Sequence, residues 1–482
     1  MDDSDSKRIG RSLLRLEGAA SFAAAHHEPA LGLALEVDGV GRCEFPLSPE
    51  RIRAMIERAV PSPFGYRSET IRDPSVRDSW EILAAHVHID ERLWSIRFGR
   101  GLHKIVEALG LAPEAEVTAT LQKLLIYEQG QFFAPHRDSE KSPTMVGTLV
   151  IVLPSSYRGG EVVVSHAGKT VALSTAQAGG TNHVSFLGFY GDCVHETKPV
   201  EAGYRVALSY SLDAGPTASA CPPDDDFVDL RERLDAFFYD PHDEDDVLHP
   251  WLVYLLDHQY SEQSIDWSRL KNADKIRAQA LQHVADALDC DCFLALADVH
   301  ESYTIDENEE EEEGDDDVLD PDAVEADEGA DPDAAPFVVV PDRDDPIEEL
   351  SFDGTAAAPS GAEISTSGTL TERDLTLTHW VDGQGEPRAG TNEAVDDDCI
   401  VTTVESHGRS TYETSLEPWT GNEGGSAQKW YHQAALVIVP RRSPLHEEIV
   451  GVPEPEAGVD DRAAGARGAE TVRVRRRRAR PT

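Results

Sequence analysis

The sequence predicts an α+β protein whose centre is an antiparallel β-sandwich or barrel. Two observations carry this. Residues 118–127, 148–153, 161–165, 170–173, 183–189 and 204–212 are short apolar runs of strand type. Gly159-Gly160, Gly179-Gly180 and Gly191-Asp192 fall between several of them. Short strands punctuated by turn residues at this spacing form sandwiches or barrels.

The flanking segments have a different pattern. Residues 1–29 are a polar start with a short helix at 13–25, and 33–45 holds two short strands around Gly39 and Gly41. A helix is expected over 49–59, opened by Ser48 as N-cap, and another over 93–109. Residues 65–80 are loop-like. The first domain therefore spans 30–214 and ends before the Pro/Asp-rich stretch at 222–226. Residues 215–302 form a mainly helical region, with the clearest helical period at 276–288. An acidic, disordered linker follows at 303–336. A C-terminal α/β region at 337–450 has strands at 337–340, 370–381 and 430–439. Residues 451–482 are a basic, disordered tail. The chain contains no internal repeat.

Charge narrows the partners. The 482 residues include 90 acidic and 43 basic side chains, for a formal charge of −47. Residues 306–333 alone hold 17 acids without a Lys or Arg, whereas 462–480 holds eight Arg. An acidic surface repels nucleic acid and anionic lipid, so neither is a default partner, and only the Arg-rich tail offers a weak local contact. The six Cys are scattered without a C-x-x-C, the start has no apolar leader, and no run approaches a membrane span. A reduced, soluble, cytoplasmic protein is the expectation.

The chemistry concentrates in 127–141 (YEQGQFFAPHRDSEK), 157–162 (YRGGEV) and 193–212 (CVHETKPVEAGYRVALSYSL). His136 and Asp138 are separated by one residue, and i and i+2 of an extended strand face the same way. His195 stands at a turn before the last strand. Two imidazoles and a carboxylate on one face of a metal leave three positions open, the arrangement of non-haem Fe(II) oxygenases. Arg205, ten residues after His195, lies in an otherwise apolar strand, where an unpaired guanidinium would be costly. A bidentate co-substrate such as 2-oxoglutarate would chelate the metal at one end and give Arg205 its distal carboxylate, which matches the planar guanidinium fork. Tyr127 and Thr148 are candidate hydroxyl donors to the same co-substrate. A second H-x-D, His88-Ile89-Asp90, lies before the β-rich segment without a Gly-rich strand after it, and reads as a strand end or helix start.

Residues 121–212 resemble the prolyl 4-hydroxylase-type Fe(II)/2-oxoglutarate dioxygenase family. The shared features are Y-x-x-G before H-x-D, a G-G-E strand, H-E-x-x-P-V, and G-Y-R-V in the final strand. Residues 63–82 and 420–440 extend the resemblance to a narrower microbial branch. It implies a double-stranded β-helix (jelly-roll) core with flanking helices, joined to a mixed C-terminal region. It also implies Fe(II) held by His136, Asp138 and His195, 2-oxoglutarate held by Arg205 and contacted by Tyr127, O2 as second co-substrate, and ascorbate as an auxiliary reductant. Asp138 departs from halogenating relatives, which leave that ligand position to halide, and points to hydroxylation. Collagen-type relatives use Lys where Arg205 stands, which argues against a collagen-like substrate.

Other residues have structural readings. Lys198 is expected in solvent beside Pro199. Arg137 must point away from the ligands beside it, into an ion pair or toward substrate. Arg67, Thr70 and Arg77 either line the substrate entrance or form a turn. Cys290 and Cys292 have the wrong spacing for zinc, and the GNEGG segment at 421–425 lacks the ending of a phosphate loop. The leading expectation is an active hydroxylase of a protein or peptide side chain, with prolyl as one option. The alternatives are a small-molecule hydroxylase of the same class and a non-catalytic 2-oxoglutarate- or oxygen-sensing binding protein.

Overall fold

The computed structural model describes residues 5–16, 21–66, 69–111, 116–173, 175, 182–216, 227–240, 243–305, 368–404, 411, 413–417, 426–451 and 471–472. Of the linker expected at 303–336, residues 303–305 end the strand Cys290–Ile305 and 306–336 lie outside the described residues, as do the expected strand at 337–340, the 421–425 segment and the Arg cluster at 473–480. The protein is a mixed α/β structure dominated by antiparallel sheets.

Two of those sheets share one hydrophobic core. The major sheet runs in the order Ala23–Pro29, His183–Tyr190, Met145–Val152, Arg205–Ala214, Val117–Tyr127, Trp80–Leu83 and Val60–Pro61, with every pairing antiparallel. The minor sheet runs Lys169–Leu173, Val162–His166, Val194–Thr197, Phe132–His136 and Arg77–Asp78, also antiparallel. Val164, Val162 and Phe133 of the minor sheet bury with Leu124, Ile126, Leu149, Ile151 and Leu208 of the major one.

His183–Tyr190 is buried along nearly its whole length, without the alternation of a half-exposed strand. The reason is the 18-residue helix Glu91–Ala108, which covers its outer face. Phe98 packs edge-on against Phe186 at 6.2 Å between ring centroids. A Cβ at Gly188 would sit 2.1 Å from Ile105 Cγ2, so the close approach of helix and strand needs glycine there. The helix starts at its N-cap Asp90, whose carboxylate accepts from Arg92 N. Ser48 caps Pro49–Ile56 in the same way, as its position in the sequence predicts.

A second core lies in the C-terminal half. Its sheet orders Gly368–Asp382, Cys290–Ile305, Ser426–Pro440, Leu252–Leu255 and Ile400–Thr402, with Glu413–Glu417 added on Ser426–Pro440. Helices Val228–Phe238 and Asn272–Ala287 pack on it through Leu230, Leu234, Phe237, Leu281 and Val284. No described helix is long and apolar enough to cross a membrane.

Three expectations are corrected. The helix expected at 13–25 is instead Asp5–Leu14, and Ala23–Pro29 is a strand of the major sheet, so 1–29 is not a separate polar segment. Ile9 and Leu13 of that helix belong to the second core, far away in sequence. Residues 215–302 are not mainly helical, because Leu252–Leu255 and the 16-residue Cys290–Ile305 are strands of the second sheet. The third concerns the tail, where Thr471–Val472 pairs with Ala119 and Thr120 at the edge of the first core.

Candidate metal centre

His136 ends the strand Phe132–His136, and its cross-strand partner in Val194–Thr197 is His195. Register thus brings together two residues 59 positions apart, with ring centroids 4.2 Å from each other. Asp138 lies two residues past the strand end rather than on its face, so the expected i, i+2 strand geometry does not place it. It is held by Thr148 of the major sheet, whose Oγ1 donates to Asp138 Oδ2 at 2.5 Å. His195 Nε2 is 3.7 Å from the same oxygen. One donor atom from each of His136, Asp138 and His195 lies within 4.8 Å of the others.

Both imidazoles are oriented from behind. His136 Nδ1 bonds Ala134 O at 2.8 Å and His195 Nδ1 bonds Cys193 O at 3.2 Å. A carbonyl only accepts, so each Nδ1 carries the hydrogen and each Nε2 keeps a lone pair for a metal. Phe133 stacks on His136 at 3.4 Å and Phe189 lies 4.4 Å from His195, giving the pair apolar walls. Burial, with His195 adding to it, pushes the His136 pKa down to about 3. Burial would raise the Asp138 carboxyl, but His195, His136 and the Thr148 hydroxyl outweigh it and hold it below its usual value. At neutral pH the site therefore presents a neutral His136 imidazole and the Asp138 carboxylate beside the His195 ring, a donor set that suits a divalent first-row metal.

These burials predict an acid response. His136 and His166 both sit at about 3 in the folded chain, and burial is the main cause for each. Unfolded histidine titrates near 6.5, so below that pH the unfolded chain binds protons that the folded chain refuses. Asp274, pushed up to about 6 by burial, opposes them as a single group. The metal-free protein is expected to lose stability as pH falls from 6.5 toward 3, read as a lower urea midpoint at pH 5 than at pH 7.5.

Arg205 opens its strand at 1% exposure, and its Nε and Nη2 make no hydrogen bond. Among the described residues no carboxylate forms an ion pair with it. Tyr127, its cross-strand partner, is buried, and the guanidinium carbon lies 5.4 Å from that ring's centroid. A buried guanidinium with idle donors is unfavourable until an anion arrives, so its chemistry fits a carboxylate co-substrate. Gly160 lies against Arg205. At φ +67°, a Cβ there would lie 2.8 Å from Arg205 Cδ and 3.0 Å from Val200 Cγ2. Gly160→Ala is expected to cost about 1–2 kcal/mol of stability from the left-handed backbone. It should also weaken co-substrate binding several-fold by pushing Arg205 aside, which denaturation and KM measurements would separate.

The other sequence candidates have the following places. The second H-x-D is spent structurally, with His88 Nε2 on Asp38 Oδ1 at 2.8 Å and Asp90 capping its helix. Thr148, expected at the co-substrate, donates to Asp138. Lys198 is half exposed and pairs with Glu196. Arg137 turns away from the ligands to donate to Gln259 Oε1 at 2.7 Å. Arg77 is buried and holds the 61–80 segment through Pro63 O and Ser79 Oγ, with its guanidinium over the Phe133 ring at 4.4 Å. Arg67 and the side chain of Thr70 lie outside the described residues. Cys290 is buried, with Sγ on Leu288 O. Sequence reasoning missed a second group, His166, Asp192 and His258, because its members lie on three distant segments with no motif spacing.

Comparison with known proteins converges on the same segment. Residues 122–211 match the family model described as the 2OG-Fe(II) oxygenase superfamily. No curated protein matches the chain. Similar solved structures include a 2OG-Fe(II) oxygenase family oxidoreductase from Burkholderia pseudomallei, at 17% identity, 42% of this chain, 90% of that one and a TM-score of 0.25. A prolyl hydroxylase from Trichoplax adhaerens, in complex with a hypoxia inducible factor peptide fragment, is 14% identical over 43% of this chain and 90% of that one, with a TM-score of 0.27. A Pseudomonas putida prolyl-4-hydroxylase is 15% identical over 42% of this chain and 98% of that one, with a TM-score of 0.25. The family match and the donor set agree on a 2OG-Fe(II) oxygenase domain at residues 122–211, and with it on 2-oxoglutarate-dependent dioxygenase chemistry that uses Fe(II), 2-oxoglutarate and O2.

Proposed function

We propose that the chain hydroxylates a C–H bond of a protein or peptide, with His136, Asp138 and His195 as the Fe(II) ligands and Arg205 as the anchor of the distal 2-oxoglutarate carboxylate. The observation that carries this is the pairing of a three-donor cluster with a buried guanidinium whose Nε and Nη2 lack partners in the same two-sheet core. A binding module needs no such combination. The two antiparallel sheets around one core support a double-stranded β-helix for residues 30–214, with 215–450 as the additional unit. When bound, Fe(II) and 2-oxoglutarate together supply the activation of O2 for C–H oxidation.

The chain's own residues have narrower tasks. The carbonyls of Ala134 and Cys193 fix both imidazoles in the ligating tautomer, and Thr148 fixes the carboxylate. Phe133 and Phe189 keep water from the ligand rings. Tyr127 packs along the Arg205 pocket. The peptide reading rests on the resemblance of residues 121–212 to prolyl hydroxylases. It is tested by incubating the iron-loaded chain with 2-oxoglutarate and a panel of peptides and metabolites, following succinate release. Turnover stimulated by a peptide, with the mass gain of one oxygen atom on it, is the expected result. Stimulation by metabolites alone would assign a small-molecule hydroxylase, and absence of any succinate would reject catalysis.

A further inference from the structure

We propose that the second unit is a positioning element for the metal centre, with segment 257–271 gripping both ligand-bearing loops and Asp192 as the hub. The inference rests on the ligand assignment above.

Asp138 lies beyond the strand end, and the ladder between Phe132–His136 and Val194–Thr197 is already irregular between Phe133 and His136. Strand pairing therefore does not fix Asp138. Besides the bonds of Ser142 and Thr144 to Asp213, contacts on either side of it come from the second unit. Arg137 Nη1 donates to Gln259 Oε1 at 2.7 Å, and Gln259 Nε2 donates to His432 O at 2.9 Å. Glu140 accepts from Ser261 Oγ at 2.5 Å and Ser264 Oγ at 3.0 Å. Arg269 Nη1 donates to Pro143 O at 2.8 Å. Residues 137, 140 and 143 are thus all held from one segment.

The same segment holds the turn before His195. Asp192 is buried, with Oδ1 3.0 Å from Lys271 Nζ, and Oδ2 accepts from His258 Nδ1 at 2.9 Å and Gln259 N at 3.1 Å. His166, on the strand paired with that of His195, stacks on the His258 ring at 4.1 Å and 19°. The segment is itself braced by Asp274, which accepts from Asp257 N, His258 N and Tyr260 Oη at 2.8, 2.9 and 3.1 Å. His166, Asp192 and His258 are close enough to suggest a second metal. The Lys271 ammonium on one Asp192 oxygen and two N–H donors on the other already satisfy the carboxylate, and the ammonium repels a dication. The cluster reads as a latch. Its loss would leave the ligands present with their relative placement relaxed.

The test is anaerobic Fe(II) titration of the full chain, with circular dichroism and Tm alongside. Asp192→Asn is expected to weaken Fe(II) binding several-fold while secondary structure is retained. Asp382→Asn is the control, since Asp382 is a buried carboxylate of the second unit that pairs with Arg388 and accepts from Gln384 N and Glu386 N. It should lower Tm and leave Fe(II) affinity unchanged. If Asp192→Asn does not fold, the double variant Ser261→Ala/Ser264→Ala, which releases only Glu140, decides with an expected several-fold weakening. Unchanged affinity in the folded hub variant, or equal weakening in the Asp382 control, overturns the proposal. Two metals per native chain, with one lost in Asp192→Asn, also overturns it in favour of a second metal site. Asp138→Ala separates the two layers: if it keeps Fe(II), the ligand assignment fails. If it loses Fe(II) while the hub variants do not, only the positioning role fails.

Discussion

Asp138→Ala is expected to abolish conversion of 2-oxoglutarate to succinate, with or without substrate. Alanine leaves only the two imidazoles and removes the one carboxylate among the three donors. The loss should exceed the roughly 10–100-fold that removal of an outer-shell partner brings, because a ligand itself is deleted. Thr148→Val is the graded companion. It keeps the carboxylate and removes the 2.5 Å hydrogen bond that orients it, so its effect should fall inside that 10–100-fold range. Fold loss is not the cause expected for Asp138→Ala, since the hydrophobic core does not include this residue. Succinate release and circular dichroism on the same preparations check both points. Full turnover in Asp138→Ala would remove Asp138 from the ligand set.

Arg205→Met is expected to act in opposite directions on binding and on stability. In the co-substrate-free chain the guanidinium is 1% exposed with Nε and Nη2 unpaired, an arrangement that burdens the fold. Methionine fills similar length with apolar surface, and replacing buried ionic groups by well-packed apolar ones is often neutral or stabilising by about 1–4 kcal/mol. Tm of the co-substrate-free protein should therefore stay level or rise. Binding of 2-oxoglutarate should collapse, because truncating one member of a buried charge pair costs about 2–5 kcal/mol, roughly 30- to several-thousandfold in affinity. Arg205→Lys tests geometry separately, since lysine keeps the charge without the planar fork. A chain that binds 2-oxoglutarate normally as Arg205→Met would show that the anion sits elsewhere.

The strands of the first core were legible because each is a compact apolar run closed by turn residues. The runs at 118–127, 148–153 and 183–189 correspond to Val117–Tyr127, Met145–Val152 and His183–Tyr190. The Ala-rich segment before Pro29 was not legible. Its composition favours helix, yet pairing of Ala23–Pro29 with His183–Tyr190 makes it a strand, a case of tertiary context overriding intrinsic propensity. Leu252–Leu255 and Cys290–Ile305 were hidden for another reason. Short apolar runs do not distinguish a buried strand from a buried helix.

At the candidate metal centre, the chemical types are readable from residue order: two imidazoles, a carboxylate and a cation set in an apolar strand, all within one β-rich segment. It also excluded the second H-x-D on context alone, and the structure shows Asp90 and His88 committed to other partners. That Thr148 serves Asp138, that Gly160 lies against Arg205, and that the C-terminal half reaches the segment around Asp138 came from the fold. The difference is one of range. Donor identity and strand period are local properties of a chain, whereas the partner of a buried polar atom is whichever residue folding brings within about 3 Å, here from 10 to more than 100 positions away.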